Sequence, residues 1–320
     1  MSIHFRKCQN NGTNVRFKQG TAHLFLNLLW GISPAAAVNL VKKHVFNPIN
    51  YHLSPAQKAI LNTGLKFEVT IHGKTVCGWK WGDGPGVLLV HGWNGCSAQF
   101  SYFFKPLRQM GCTVIAFDAP GHGQSEGKTS SYFEFTDAVR AFLKLNNGFS
   151  VDAIIGHSLG GSAVINALCK ENRSIPSVLI APAVQLKEIL DNTFKQYGIP
   201  TAVHQKVIQE FEERFGYSLE KDNPDKLLPL LKKEILIIHD RNDPAIPYKD
   251  SEKAADKWSN VQLVETRGLG HKRILTSHNT AEFITNYIVG RISAAAVSKL
   301  ETLDRSLTGR PIGEITSNLP

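Results

Sequence analysis

Gly156-His157-Ser158-Leu159-Gly160 stands between a short apolar run, residues 153–155, and a stretch from 159 to 169 with the small and apolar composition of a buried helix. A serine flanked by glycines at such a junction implies a sharp turn from strand into helix. The turn lifts the hydroxyl out of the sheet while the glycines admit neighbouring backbone at close range. The string alone is weak, because a glycine-rich turn whose serine caps a helix would write the same letters. Its position is the stronger signal, since the run before it is one of several that read as strands buried on both faces of a parallel sheet.

That sheet is legible over most of the chain. Residues 65–71 and 75–81 are rich in β-formers and are separated by His72-Gly73-Lys74, as in an antiparallel hairpin. Val87-Leu88-Leu89-Val90, bounded by glycines, reads as a strand covered on both sides. Further strands are expected at 113–117, 153–155, 177–180, 235–238 and 261–264, with helices near 132–145, 159–169 and 281–289. Such alternation builds an α/β fold with a mostly parallel sheet, here entered through the antiparallel hairpin and flanked by helices. Residues 183–232 break the rhythm: Val207, Phe211 and Phe215 recur at helical spacing, and Phe194 with Tyr197 forms a second aromatic patch. This segment is expected to be an inserted helical cap over the C-terminal strand ends, where open α/β sheets bind ligands. Its aromatics are expected to pack the cap first and to line a pocket second. The plan is therefore a basic helical extension at 1–64, an α/β core at 65–182 and 233–292, the cap at 183–232, and a tail at 293–320 that frays after a short helix.

Charge bears on partners. The 320-residue chain carries 36 Lys/Arg against 27 Asp/Glu, a formal net charge of +9. Residues 1–80 hold ten of the basic residues and a single acid, Glu68, which leaves 26 of each sign over 81–320. The basic residues of the leader are spread in ones and twos, the pattern of a solvated face, so no nucleic-acid partner is expected. Residues 21–41 superficially resemble a secretory signal. Asn27, Pro34 and Asn39 interrupt that run, whereas a membrane span needs about 20 predominantly apolar residues. Leu24, Leu28 and Leu29, then Val38, Val41 and Val45 beyond Ser33-Pro34, fit two amphipathic helices, the second started by a serine cap with proline at its first position. The helices are expected to pack on the sheet flank, with contact to a membrane surface as the lesser alternative. Five cysteines, an odd number without C-x-x-C spacing, suit neither a disulfide framework nor a structural zinc site and point to a reducing compartment.

The serine hydroxyl is a weak nucleophile and needs a base within hydrogen-bond reach. His271, in Gly268-Leu269-Gly270-His271 after the last strand, is the candidate, with Asp243 as the acid that orients it and Asp240 as the rival acid. The order Ser, Asp, His suits a serine nucleophile on a strand-to-helix turn. His91, His122 and His157 are expected to brace loops, and His239 has no evident partner. A tetrahedral oxyanion calls for two backbone N–H donors, here assigned to Leu159, next after the serine, and to Trp93 in the loop after residues 87–90. Because these residues all lie beyond 90, the extension is expected to be dispensable for the chemical step. The glycines at 82, 84 and 86 are not followed by G-K-[ST] and form no phosphate loop.

Val90-His91-Gly92-Trp93, Asp118-Ala119-Pro120-Gly121-His122-Gly123-Gln124-Ser125, Gly156-His157-Ser158-Leu159-Gly160-Gly161, Asp243-Pro244-Ala245-Ile246-Pro247 and Gly268-Leu269-Gly270-His271 together resemble the motif series of capped bacterial α/β-hydrolases. The resemblance covers about residues 65–290. The segment from Ser54-Pro55 to Gly64 and the hairpin Trp79-Lys80-Trp81-Gly82 resemble a subgroup with an N-terminal helical extension. The resemblance implies a cytoplasmic, cofactor-independent serine hydrolase with a small-molecule acyl substrate, and it fixes neither substrate nor oligomeric state. Dehalogenases and epoxide hydrolases of this fold place Asp where Ser158 stands, so the serine implies esters, thioesters or amides. A carboxylic-ester hydrolase working through an acyl-enzyme leads. An amidase, peptidase or thioesterase, or a catalytically idle binding protein of the same fold, are the alternatives.

Overall fold

The computed structural model describes residues 19–49, 51–145 and 150–308, with side chains from 20 to 294. Cys8, the basic residues Arg6, Lys7, Arg16 and Lys18, and the end of the tail lie outside the described residues.

Capping chemistry sets the first helices. α1 (Gln19–Ile32) and α2 (Pro34–Val45) meet at Ser33, whose hydroxyl accepts from the Ala36 amide at 3.3 Å. α3 (Pro55–Asn62) opens on a reciprocal cap in which Ser54 and Gln57 each accept from the other's amide. The chain then alternates through β1 (Leu65–Ile71), β2 (Lys74–Trp81), β3 (Gly86–Val90), α4 (Ser101–Gln109), β4 (Thr113–Phe117), α5 (Tyr132–Leu143), β5 (Ala153–His157), α6 (Leu159–Lys170) and β6 (Ser177–Ile180). Three consecutive helices follow, α7 (Leu186–Gln196), α8 (Thr201–Phe215) and α9 (Pro224–Leu227). The sheet resumes with β7 (Ile235–Asp240), α10 (Tyr248–Lys257), β8 (Val261–Thr266), α11 (Gly270–Arg273) and α12 (His278–Thr308).

The eight strands form one sheet in the order β1-β2-β4-β3-β5-β6-β7-β8. β2 is antiparallel to both its neighbours and the remaining pairings are parallel. Strands β3 to β7 are buried throughout, which is why they read as unbroken apolar runs. The pleat divides them between two cores. Leu88, Val90, Ile115 and Phe117 pack with Phe142, Val164 and Val203 on one face, whereas Val87, Leu89, Val114 and Ala116 pack with Leu61, Phe103 and Ile284 on the other. β4 and β5 flank β3 on opposite sides, so the chain reverses its winding there. Loops at the C-terminal ends of β3 and β5 consequently face one crevice.

Three features depart from the sequence reading. α4 and α10 were not legible; α4 carries Pro106 inside it, yet buries Phe103, Phe104 and Leu107. No break occurs at 292, because α12 runs on to Thr308 through a stretch rich in Ala, Leu, Lys and Glu, all strong helix formers. The extension is divided, and only its last part lies on the sheet. α2 lies against α8, where Lys42 pairs with Glu210 and the Phe46 ring sits 4.6 Å from that of Phe211, while α3 alone reaches the second core through Leu61. Leu24 and Leu28, expected to face inward, are exposed, and Ala22 and Leu26 are buried instead.

Candidate active site

Ser158 is placed by backbone geometry. Between β5 and α6 it adopts φ 53° and ψ −125°, a region that non-glycine residues rarely enter and that costs about 1–3 kcal/mol where the surroundings enforce it. The surroundings are close: a Cβ at Gly160 would stand 2.2 Å from the His91 carbonyl oxygen, and one at Gly92 would stand 2.8 Å from Ser158 Cβ. The loop after β3 and the turn after β5 thus meet backbone to backbone, a contact only glycine permits.

Two histidines hold that loop. His91 donates from Nδ1 to the Gly92 carbonyl (2.7 Å) and accepts at Nε2 from the Ala119 amide (2.9 Å). His122 donates to the Pro120 carbonyl (3.0 Å) and accepts from the Asn94 amide (3.2 Å). An acceptor nitrogen facing an amide N–H leaves no room for a second ring proton. Burial lowers the His91 imidazole to about 4, and burial with the nearby His91 lowers His122 to about 3.

His271 lies in the first turn of α11, preceded by Gly268 and Gly270 with φ of 79° and 62°. His157 Nε2 donates to its carbonyl at 3.0 Å. The ring is thereby presented with Nε2 at 3.0 Å from Ser158 Oγ and Nδ1 at 2.7 Å from Asp243 Oδ2. The Nδ1 proton belongs to the bond with the carboxylate, which leaves Nε2 as the acceptor toward the serine.

Asp243 has a fully buried side chain. Its Oδ1 accepts from the Ala245 and Ile246 amides at 2.7 and 3.0 Å, and its Oδ2 faces His271 and, at 3.3 Å, His239 Nε2. Burial by itself would raise this carboxyl. The bonds from His239 and His271 outweigh it and hold the group well below the usual carboxylate range. Asp240 takes a different part, accepting from the Asn242 and Leu269 amides and the Thr266 hydroxyl, so that it ties the turn after β7 to the loop before His271.

His239 was missed from the sequence. It is fully buried, accepts from Ser251 Oγ at Nδ1 (2.8 Å), and points Nε2–H between the Ile246 carbonyl (3.2 Å) and Asp243. Its place four residues before Asp243, at the end of a buried strand, was the available signal.

Above Ser158 lies a cavity of about 220 Å³. Trp93 and Leu159 line it, as do Leu186, Ile189 and Leu190 of α7 and Ile208 and Phe211 of α8. Among the described residues, neither the Trp93 nor the Leu159 amide donates to a protein acceptor. Phe211 joins the lining, whereas Phe194 is 1% exposed and stacks on His204. Val45 and Phe46, from the N-terminal extension, complete the wall. Nothing in the sequence marks these two, since the contacts that bring them there span more than a hundred residues. Among the described residues, no side chain lining the cavity is charged.

Comparison with known proteins agrees with this architecture. Residues 85–221 match the family model described as serine aminopeptidase, S33, and residues 218–291 match that of a TAP-like protein. A lysophosphatidylserine lipase of Xenopus tropicalis is 27% identical over 230 residues, 64% of this chain and 57% of that one. The monoglyceride lipase of Homo sapiens is 30% identical over 126 residues, 37% of this chain and 42% of the lipase. An uncharacterised Mycobacterium tuberculosis protein is 28% identical over 140 residues, 41% of this chain and 38% of that protein. Each match therefore spans less than two thirds of the relative. Among solved structures, an esterase of Pyrococcus furiosus superposes with a TM-score of 0.58 at 21% identity, covering 77% of this chain and 97% of the esterase. Est1E of Butyrivibrio proteoclasticus, solved with ferulic acid bound, gives 0.55 at 19% identity, covering 71% and 99%.

Proposed function

Since this chain belongs to the α/β-hydrolase fold family, we propose that it is a serine hydrolase that cleaves carboxylic esters with apolar acyl groups, through an acyl-enzyme on Ser158. The hydrogen-bonded chain from Ser158 through His271 to Asp243, at the floor of an uncharged cavity, carries the reading.

In the proposed mechanism His271 Nε2 removes the Ser158 proton as Oγ attacks the ester carbonyl. The resulting oxyanion is held by the Trp93 and Leu159 amides, and loss of one such donor costs about 3 kcal/mol in comparable sites. Asp243 keeps the imidazole in the required tautomer and stabilises the imidazolium. Collapse of the intermediate breaks the acyl C–O bond, and the alcohol departs with the proton from His271. Water, deprotonated by the same nitrogen, then attacks the acyl-enzyme, and a second collapse releases the carboxylic acid and restores Ser158.

The aminopeptidase match supports a second reading, cleavage of an N-terminal amide. Such a substrate brings a protonated amine into the site, and among the described residues no lining side chain is acidic, which favours the ester. A fluorophosphonate probe, followed by mass mapping of the labelled peptide, tests the nucleophile. Parallel turnover of p-nitrophenyl esters and aminoacyl p-nitroanilides tests the bond. Ser158→Ala should abolish both labelling and hydrolysis without altering the fold. Undiminished hydrolysis by that variant would refute the assignment.

A further inference from the structure

Four large apolar side chains of α1 are exposed: Leu24, Phe25, Leu28 and Ile32, at 72%, 43%, 65% and 74%. At 100° per residue they fall within an arc of about 100°, whereas the inward residues Ala22, Leu26 and Leu29 centre about 120° away around the helix. α1 is therefore apolar on two faces, one against the protein and one against solvent, and an apolar patch concentrated in this way marks a contact surface.

Charge selects the occupant. Residues 1–67 contain eight Lys/Arg and no Asp or Glu, and Arg16 and Lys18 immediately precede α1 in the sequence. A second copy presenting the same face would bring like charges together, while an anionic bilayer surface brings opposite ones. No helix among the described residues is long and apolar enough to cross a membrane. Among the described residues α1 runs for 14 residues, about 21 Å against a hydrocarbon core of roughly 30 Å, so it suits lying in the interface with its apolar face in the acyl boundary.

We propose that the outer face of α1, formed by Leu24, Phe25, Leu28 and Ile32, is a docking surface for an anionic lipid bilayer. α2, joined to it through Ser33, carries Val45 and Phe46 into the cavity wall, so docking sets the cavity close to the lipid.

Docking is measured apart from catalysis. The full-length protein is sedimented with vesicles of phosphatidylcholine plus phosphatidylglycerol, and with phosphatidylcholine alone. The wild type should partition onto the anionic vesicles, less so as salt is raised. The double variant Leu24→Ser, Leu28→Ser should partition at least about tenfold less, with unchanged melting temperature and unchanged turnover of a soluble short-chain ester. Absence of wild-type binding, or equal binding by the variant, overturns the proposal. So does a wild-type dimer in analytical ultracentrifugation that the double variant converts to monomer, since the face would then be covered by a second copy.

Discussion

His239 Nε2 and His271 Nδ1 approach the same oxygen of Asp243, at 3.3 and 2.7 Å, from a fully buried ring on one side and the ring that reaches Ser158 on the other. The carboxylate is thus fixed from behind as well as from in front. Its lowered pKa has the same origin, and so does the expectation that its orientation depends on a residue that never meets substrate.

His239→Gln should lower kcat about 10–100-fold with little change in KM, the range typical when an outer partner of a site residue is removed. It should also alter the pH–rate profile, because the carboxylate that orients the base loses one of the donors that hold it. A larger loss in His239→Leu than in His239→Gln, which keeps an N–H donor, would separate hydrogen bonding from packing. A purely structural role would lower the melting temperature and leave the profile in place.

The two carboxylates after β7 should separate cleanly. Asp243→Asn is expected to lower kcat by about 10⁴, as in the worked serine-protease precedent where the orienting acid was amidated and the wrong tautomer resulted. Asp240→Asn should act mainly on stability, since Asp240 accepts from Leu269, Asn242 and Thr266 and does not touch His271. Paired kcat and melting measurements check this. A folded but inactive Asp240→Asn would reverse the assignment.

Acid should weaken the fold through His91. Its folded-state value, about 4, lies below the ordinary imidazole value of about 6.5, so between these limits the unfolded chain binds a proton that the native state refuses. The contribution is fully present above about pH 6.5 and is lost as pH falls toward about 4, amounting to about 3 kcal/mol across the window. Melting temperatures from pH 7.5 downward should decline less steeply for His91→Gln than for wild type. Parallel slopes would show that His91 does not couple to the transition.

Phe46 should govern acyl length. Phe46→Leu enlarges the cavity and is expected to raise kcat/KM for longer esters relative to shorter ones by about tenfold, the scale of a methylene or two in an apolar site. Phe46→Trp should shift the preference the other way. Starting the chain near residue 50 would remove α1, α2 and this wall together. Selectivity and stability should then fall, while the chemical step, for which the extension is expected to be dispensable, should persist. An unchanged length profile in both point variants would exclude Phe46 from the acyl site.

Short-range pattern determined much of this protein. Apolar runs such as 87–90 and 177–180 announced strands buried on both faces, because that burial leaves no polar alternation. Gly156 to Gly160 announced the turn that forces Ser158 to positive φ, and Ser33-Pro34 announced the start of α2. His271 and Asp243 were readable because each follows a strand whose end must lie at the serine's edge of the sheet. The tertiary structure decided which faces meet. Helical spacing shows that α1 has apolar residues without saying which arc goes inward, so Leu24 and Leu28 emerged while Leu26 was buried. Phe46 became a cavity wall through contacts with Phe194 and Phe211, far along the chain. His239 acquired its part only when the loop after β7 folded Asp243 back against it. Periodicity and capping act over a turn or two of chain, whereas these placements follow from packing between segments whose separation no local pattern encodes.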